Sequence, residues 1–343
     1  MLRTQDQFGN ITAAGLPANL NVTVSLSSGT GPLQGTTTLD IGASAGNGTV
    51  AFTNLRIDAA GTNDQLIASG SGLTNGVSST FTVNPGPAAN LVIQAQPPAS
   101  VIAGLPFSPA PVIRLEDAFG NRATTDNSTV VTATRNAGTG TLQGTTSVTA
   151  ANGLATFANL SYNNVETITI DFSSSFSKVT SSSITVVSGA PRKLVVQTQP
   201  SSTATAGLAF TQQPVIYVID AAGNLVNTNG LVITAARGAG TGTLQGTLTA
   251  STVGGVATFT NLSHNVATTI NLNFTSGSLT NATSSNIVVS AAAFAKLQLL
   301  APGETAAPGS ASGKTGTPSA RTAGTGFNVT VNAVDAFWNL VNS

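Results

Sequence analysis

The nine residues from Ala137 to Thr145, AGTGTLQGT, recur unchanged from Ala239 to Thr247 and return as SGTGPLQGT from Ser28 to Thr36. The equivalent leucines stand at 33, 142 and 244, spacings of 109 and 102 residues. Solenoid repeats run to roughly 20–50 residues, so each copy here marks a whole domain. Three further anchors keep the same order. Asp6-Gln-Phe8-Gly9-Asn10 matches Asp117-Ala-Phe119-Gly120-Asn121, Asp220-Ala-Ala222-Gly223-Asn224 and Asp335-Ala-Phe337-Trp338-Asn339. Phe52-Thr-Asn54-Leu55 matches Phe157-Ala-Asn159-Leu160 and Phe259-Thr-Asn261-Leu262, and a strand-like run recurs at Leu91, Leu194 and Leu297.

With 343 residues, about three domains are expected, each large enough to bury a core of its own. Charged residues make up 7% of the chain, twelve basic against twelve acidic, which leaves no cationic footprint for nucleic acid and no basic face for anionic lipid. Cysteine is absent, which rules out a disulfide framework and thiolate metal sites. The 36 glycines, 15 prolines and abundant Thr, Ser and Asn favour strands and tight turns over helices. No apolar run approaches the roughly 18 residues of a helical membrane span, so no membrane insertion is expected. The opening MLRTQDQFGN lacks the regions of a secretory leader, which is expected to lie upstream or to have been removed.

A complete unit runs from Pro87 to Ala190. Leu91, Ile93 and Ala95 alternate with Val92 and Gln94 as its first strand, and Ile113 and Leu115 alternate with Arg114 and Glu116 as its second. Val131 and Ala133, Phe157 and Leu160, Ile168, Ile170 and Phe172, then Ile184 and Val186 mark the later strands. About seven short strands with turn signals between them predict an all-β fold, an antiparallel β-sandwich of immunoglobulin-like type repeated in tandem. The expected boundaries are 1–86, a domain lacking its first strands; 87–190 and 191–293, two complete domains; and 294–343, the first two strands of another. Between Leu297 and Asp335 lie twelve residues more than in the complete units, in a Gly, Ser, Thr and Pro tract around Gly303 to Ala320 that reads as a mobile loop or linker.

The Asp-x-x-Gly-Asn turn, followed by GTLQGT and ATFANLS, resembles the bacterial immunoglobulin-like repeats of invasin- and intimin-type surface proteins and giant repetitive adhesins. The resemblance covers all 343 residues. It implies extended stalks that hold a distal adhesive domain away from the cell, and it carries no catalytic residues. Ala222 in place of the turn phenylalanine and Trp338 in place of the turn glycine depart from the pattern, the second putting an ordinary turn in question.

Few residues offer chemistry. The single histidine, His264, follows Asn261-Leu262-Ser263 and reads as an ordinary surface or edge residue rather than a catalytic base. Glu116 and Asp117 are adjacent on a strand and so point to opposite faces, making no acid–base pair. Asp117, Asp220 and Asp335, each with an asparagine four residues on, are weak candidates for calcium, against an Asx-type turn. One Trp, two Tyr and 14 Phe, most of the Phe at core-phase positions, disfavour glycan binding. The sequons at Asn127 and Asn328 are what so much Asn, Ser and Thr produces by chance. Trp338 reads as a local packing substitution or an aromatic anchor between chains. No catalytic group, metal or cofactor is assigned.

The missing and surplus strands are complementary. Leu297, Leu299, Phe327, Val329, Val331 and Ala333 are expected to act as donor strands to an acceptor groove formed by Phe52, Leu55, Phe81 and Val83 in the next copy, joining chains head to tail. Both ends carry a second strand, Leu2 to Asp6 and Phe327 to Asp335, so one copy must be displaced or placed elsewhere. The alternative is a window of a longer adhesin stalk, whose neighbours are adjoining repeats and whose binding domain lies outside this chain. Either way the expectation is a non-enzymatic extracellular or cell-surface structure.

Overall fold

The computed structural model describes residues 1–45 and 48–341. Among them there is no helix; strands and glycine turns carry the chain throughout. It divides into two compact units, one of Met1–Ala99, Pro106–Ser161 and Thr167–Ile184, the other of Ser100–Leu105, Tyr162–Glu166 and Thr185–Ser343.

The second unit holds a sandwich made wholly of its own residues. One sheet has the order Lys193–Thr198, Val215–Ile219, Val256–Thr258, all antiparallel. The other has the order Thr203–Thr205, Ile287–Ser290, Thr269–Thr275, Val232–Ala239, Thr249–Ser251, with Ala282–Thr283 also against Thr269–Thr275. The first strand of the sandwich is thus split, because Thr203–Thr205 crosses to the second sheet and runs parallel to Ile287–Ser290. That parallel pairing departs from a purely antiparallel expectation. Between the sheets lies a core that includes Leu194, Phe210, Ile216, Val218, Ile233, Leu262, Ile270, Leu272, Phe274 and Ile287, with the Phe259 and Phe274 rings 5.5 Å apart. Two antiparallel-dominated sheets packed over alternating inward residues make an immunoglobulin-like sandwich.

Within the first unit, Asn90–Ala95, Val112–Glu116 and Leu154–Thr156 repeat the first sheet, and Ser147–Thr149, Val130–Ala137 and Thr167–Ser173 repeat the strand order of the second. Ile113, Leu115, Val131, Ala133, Phe157, Leu160, Ile168, Ile170 and Phe172 are buried, in the strand phase read from the sequence. The same unit contains a smaller copy near the N-terminus. Leu2–Arg3 pairs with Thr49–Val50, and Asn21–Ser28 lies between Thr38–Asp40 and Gly61–Gly70, which also pairs with Phe81–Val83. Among the described residues its buried core cluster is Leu20, Val22 and Ile41, with Leu2, Leu16, Val50, Phe52 and Leu73 partly covered around it, and Val24 is buried as well.

One expectation fails. The tract around Gly303 to Ala320 contains an antiparallel hairpin, Glu304–Ala306 against Lys314–Gly316, held by a Lys314–Glu304 ion pair at 2.8 Å and facing Thr305 and Thr315 hydroxyls. Composition named its turn residues and missed its cross-strand pairs, which are what order it. Most phenylalanines do reach a core: six of the 14 are buried and Phe52 and Phe337 pack half-buried against core clusters, while Phe8, Phe81, Phe119, Phe176, Phe294 and Phe327 are exposed.

Candidate functional site

The N-terminal copy is open in two places, and the complete sandwich shows what fills each. A groove of about 180 Å³ is lined by Leu33, Leu55, Ile57, Leu66, Phe81 and Val83. Strand register aligns these with Leu244, Leu262, His264, Leu272, Ile287 and Val289, all buried. There Phe210 joins the same cluster, its N–H donating to the Leu262 carbonyl at 2.9 Å. A second cavity, of about 530 Å³, lies between Leu2–Gln7 and Ala68–Gly76 and includes Thr74. Its counterpart is filled by the strand at Leu194, whose N–H donates to the carbonyl of Thr280, the residue equivalent to Thr74. Of the expected groove residues, Leu55, Phe81 and Val83 line the smaller opening, whereas Phe52 packs beside Leu20, Val22 and Ile41. Leu33, Ile57 and Leu66 were not anticipated; their alignment with the later repeats is the signal that identifies them.

At the other end, Lys296–Leu300 pairs with Thr330–Val334 as a two-stranded ribbon. Leu297 is 65% exposed, and Leu299, Phe327, Val329, Val331 and Ala333 are exposed with it. The opposite face is covered: Gln298 and Leu300 are buried, and the Gln298 amide donates to the Gly313 carbonyl in the hairpin region at 2.7 Å. The expected donor residues are therefore an uncovered apolar face. Leu194 and Ile216, at the positions of Leu297 and Val331, are buried.

The Asp-x-x-x-Asn turns do a different job from the one calcium would require. In each, one carboxylate oxygen accepts N–H groups within the turn and the other reaches a preceding linker. Asp117 Oδ2 accepts from Gly86 N at 2.8 Å, Asp220 Oδ2 from Gly189 N at 2.9 Å, and Asp335 Oδ2 from Ala292 N at 2.9 Å. The paired asparagine reaches further back. Asn121 donates to the Asp58 carbonyl, Asn224 to that of Asn163 and Asn339 to that of Asn265, at 2.7–2.8 Å. Burial by itself would raise the Asp220 carboxyl, but the Gly189, Asn224 and Ala222 donors hold it below the usual carboxylate value. The same balance lowers Asp117 and Asp335. Among the described residues no three His, Cys, Asp or Glu side chains gather as a cation would need. Sequence reading saw the turn and missed its partners, Gly86, Gly189 and Ala292, which lie some 31 to 43 residues away.

Trp338 keeps an ordinary turn. Its φ is 72°, where Gly120 and Gly223 have 86° and 94°, and its N–H still donates to the Asp335 carbonyl. A left-handed non-glycine residue costs about 1–3 kcal/mol. The half-buried ring recovers contact by lying 3.5 Å from the Lys296 ammonium and against Gly313, all within its own chain.

His264 is 0% exposed, which corrects the reading of a surface or edge residue. It occupies the inward place of Tyr162 and Ile57, with Nδ1 against the Val266 backbone and Nε2 unpartnered. Burial, aided by the Arg237 charge, holds the imidazole below its usual range. The folded state therefore binds fewer protons than the unfolded one, so stability is complete above about pH 6.5 and falls as pH drops through that value. Relative to the intrinsic exchange rate at each pH, protection of the Ile270 and Leu272 amides should fall between pH 7 and pH 5 in the natural chain. His264→Tyr, which copies Tyr162, should flatten that slope.

No protein-family model matches the chain, and no curated protein matches it. Solved structures do. It is similar to domains 4–9 of the surface-layer protein SbsC at 18% identity, covering 89% of this chain and 43% of that one, TM-score 0.25. Invasin, titled a bacterial integrin-binding protein, aligns at 16% identity over 88% and 57% of the two chains, TM-score 0.30. InvD from Yersinia pseudotuberculosis aligns at 17% identity over 83% and 90%, TM-score 0.32. The chain spans about half the length of the first two. The fold rests on the strand order itself, and the chain is similar to the invasin-type structures whose repeats its turn motifs resemble.

Proposed function

We propose that this chain is a non-enzymatic structural component of an extracellular surface filament or stalk, organised as domains 1–86, 87–190, 191–293 and 294–343. Its C-terminal strands complete the N-terminal half-domain of the next copy. One observation carries this reading: the two cavities of residues 1–86 are those that Leu194 and Phe210 fill in 191–293, while Leu297 and Phe327 stand uncovered. Exposed strand edges and apolar faces of this kind are covered by strand addition. Register supports a place for the duplicated second strand. Leu2 pairs with Val50 as Ile113 does with Ala155, so an incoming Val331 would take the place of Leu2 at Val50. A head-to-tail contact of this form is heterologous and propagates into a filament.

The alternative is a stalk segment of a long bacterial adhesin, with adjoining repeats of one polypeptide covering both faces. It is favoured by the Asp and Asn turns, which tie each repeat to preceding residues of the same chain. Negative-stain electron microscopy and sedimentation of residues 1–343 beside a truncation ending at Ala293 separate the two. Polymers of the longer chain, absent from the truncation, are expected from strand exchange. Monomeric rods from both would leave the stalk reading.

A further inference from the structure

We infer that the segment Arg321–Phe327 of a second copy occupies the 180 Å³ groove of residues 1–86 and that Arg321 there meets the buried carboxylate of Asp64. This rests on the head-to-tail reading above and names its contact. The sequence Thr322-Ala-Gly324-Thr-Gly-Phe327 repeats Ile102-Ala-Gly104-Leu-Pro-Phe107 and Thr205-Ala-Gly207-Leu-Ala-Phe210. All three glycines have positive φ, at 78°, 79° and 81°. Phe107 and Phe210 are buried, whereas Phe327 is exposed. The link from Phe327 to its following Asp is two residues shorter than in the other copies.

The glycine has a counterpart too. Gly207 lies so close under Phe337 that a Cβ would fall 2.1 Å from the ring, and Gly104 lies against Ala222, the residue aligned with Phe337. Phe119 holds that place on the turn after residues 1–86. It is 59% exposed. Gly324 of a second copy would cover it.

Charge then singles out this pairing. Asp64 is buried; its Oδ1 accepts from Thr30 N at 3.1 Å and its Oδ2 has no partner. The aligned residues in the complete repeats are Ile168 and Ile270, both buried. Arg321 likewise stands where those repeats have Val101 and Ala204. Val101 pairs with Val186 and Ala204 with Val289, so the seat for Arg321 is beside Val83. Val83 in turn pairs with Gly61, where a Cβ would lie 3.3 Å from Asp64 Oδ2. Two strand spacings, roughly 10 Å, separate the Arg321 backbone from that carboxylate. A long guanidinium side chain reaches across most of it. In a chain only 7% charged, opposite charges occupy two positions that are apolar in both complete repeats, one on each side of the proposed joint. Within a single copy Arg321 is exposed and lies 5.6 Å from the Phe327 ring.

The test uses the full chain. Arg321→Glu changes an exposed residue and leaves the fold of each copy intact. It should raise the concentration for half-assembly, read by sedimentation velocity, about 30-fold or more, as loss of one partner of a buried charge pair does. Arg192→Glu, elsewhere on the surface, should leave it unchanged. The chain has no cysteine, so Phe119→Cys and Thr325→Cys chains, mixed and oxidised, should give a disulfide-linked heterodimer. Polymers that form as readily with Arg321→Glu and give no such dimer would overturn this contact and leave head-to-tail joining standing. A natural chain that stays monomeric at all concentrations would overturn the joining itself, the groove then belonging to an adjoining repeat.

Discussion

Replacing Asp220 by alanine is expected to destabilise the repeat spanning 191–293 by about 3 kcal/mol or more. The carboxylate is 3% exposed and accepts the Gly189 and Asn224 N–H groups and the Asn224 amide. Alanine removes the acceptor from the half-buried Gly189 and Asn224 N–H groups, while the Asn224 amide keeps its bond to the Asn163 carbonyl, and hydrogen bonds to a charged acceptor are each worth about 1.5–3 kcal/mol. Asp220→Asn should cost less, since one oxygen remains, but its amide meets donors with a donor. The readout is amide exchange at Ile216 and Val218, which should quicken about 100-fold or more in Asp220→Ala. Because the carboxyl is held below its unfolded value, the contribution is present above about pH 4 and lost as pH falls further. That window lies below the one set by His264, so an acid titration separates the two groups.

The second large effect belongs to the motif that defines the repeat. Gly246→Ala should cost about 3 kcal/mol, because φ is 95° and a Cβ would fall 2.2 Å from the Asn261 carbonyl oxygen, which is backbone and cannot swing aside. Gly230→Ala, where φ is 75° and no atom lies within 4 Å, should cost only the conformational part, about 1–2 kcal/mol. Denaturant titration followed by exchange at Leu272 compares them. Equal losses would mean that backbone preference alone fixes this glycine.

That comparison explains why two distant motifs recur together. Asn261 Oδ1 accepts from Thr247 N and its amide donates to the Thr247 hydroxyl, with the same pairs at Asn159 and Thr145 and at Asn54 and Thr36. The Gln-Gly-Thr and Asn-Leu segments are two halves of one clasp. Each half was visible along the chain, as a recurring glycine turn and a recurring strand end, while their contact spans some 14 residues and belongs to the fold.

The inward phase of Ile113, Leu115, Ile168, Ile170 and Phe172 follows from alternation, a property of adjacent residues, and so does the turn geometry at Asp117 to Asn121. Sequence therefore determined the all-β class, the repeat, the strands and the face each presents. Burial is a different quantity, set by what arrives from elsewhere. Phe107 and Phe327 share a motif, yet one is covered and the other bare, because the strands that would lie over Phe327 are not beside it. His264 is buried by the covering strand end, and Asp117 finds its fourth donor at Gly86, on a linker that alternation says nothing about. Only the tertiary structure decided those, since hydrogen-bond partners and covering faces come from segments tens of residues apart, whereas phase and turn type are fixed within four.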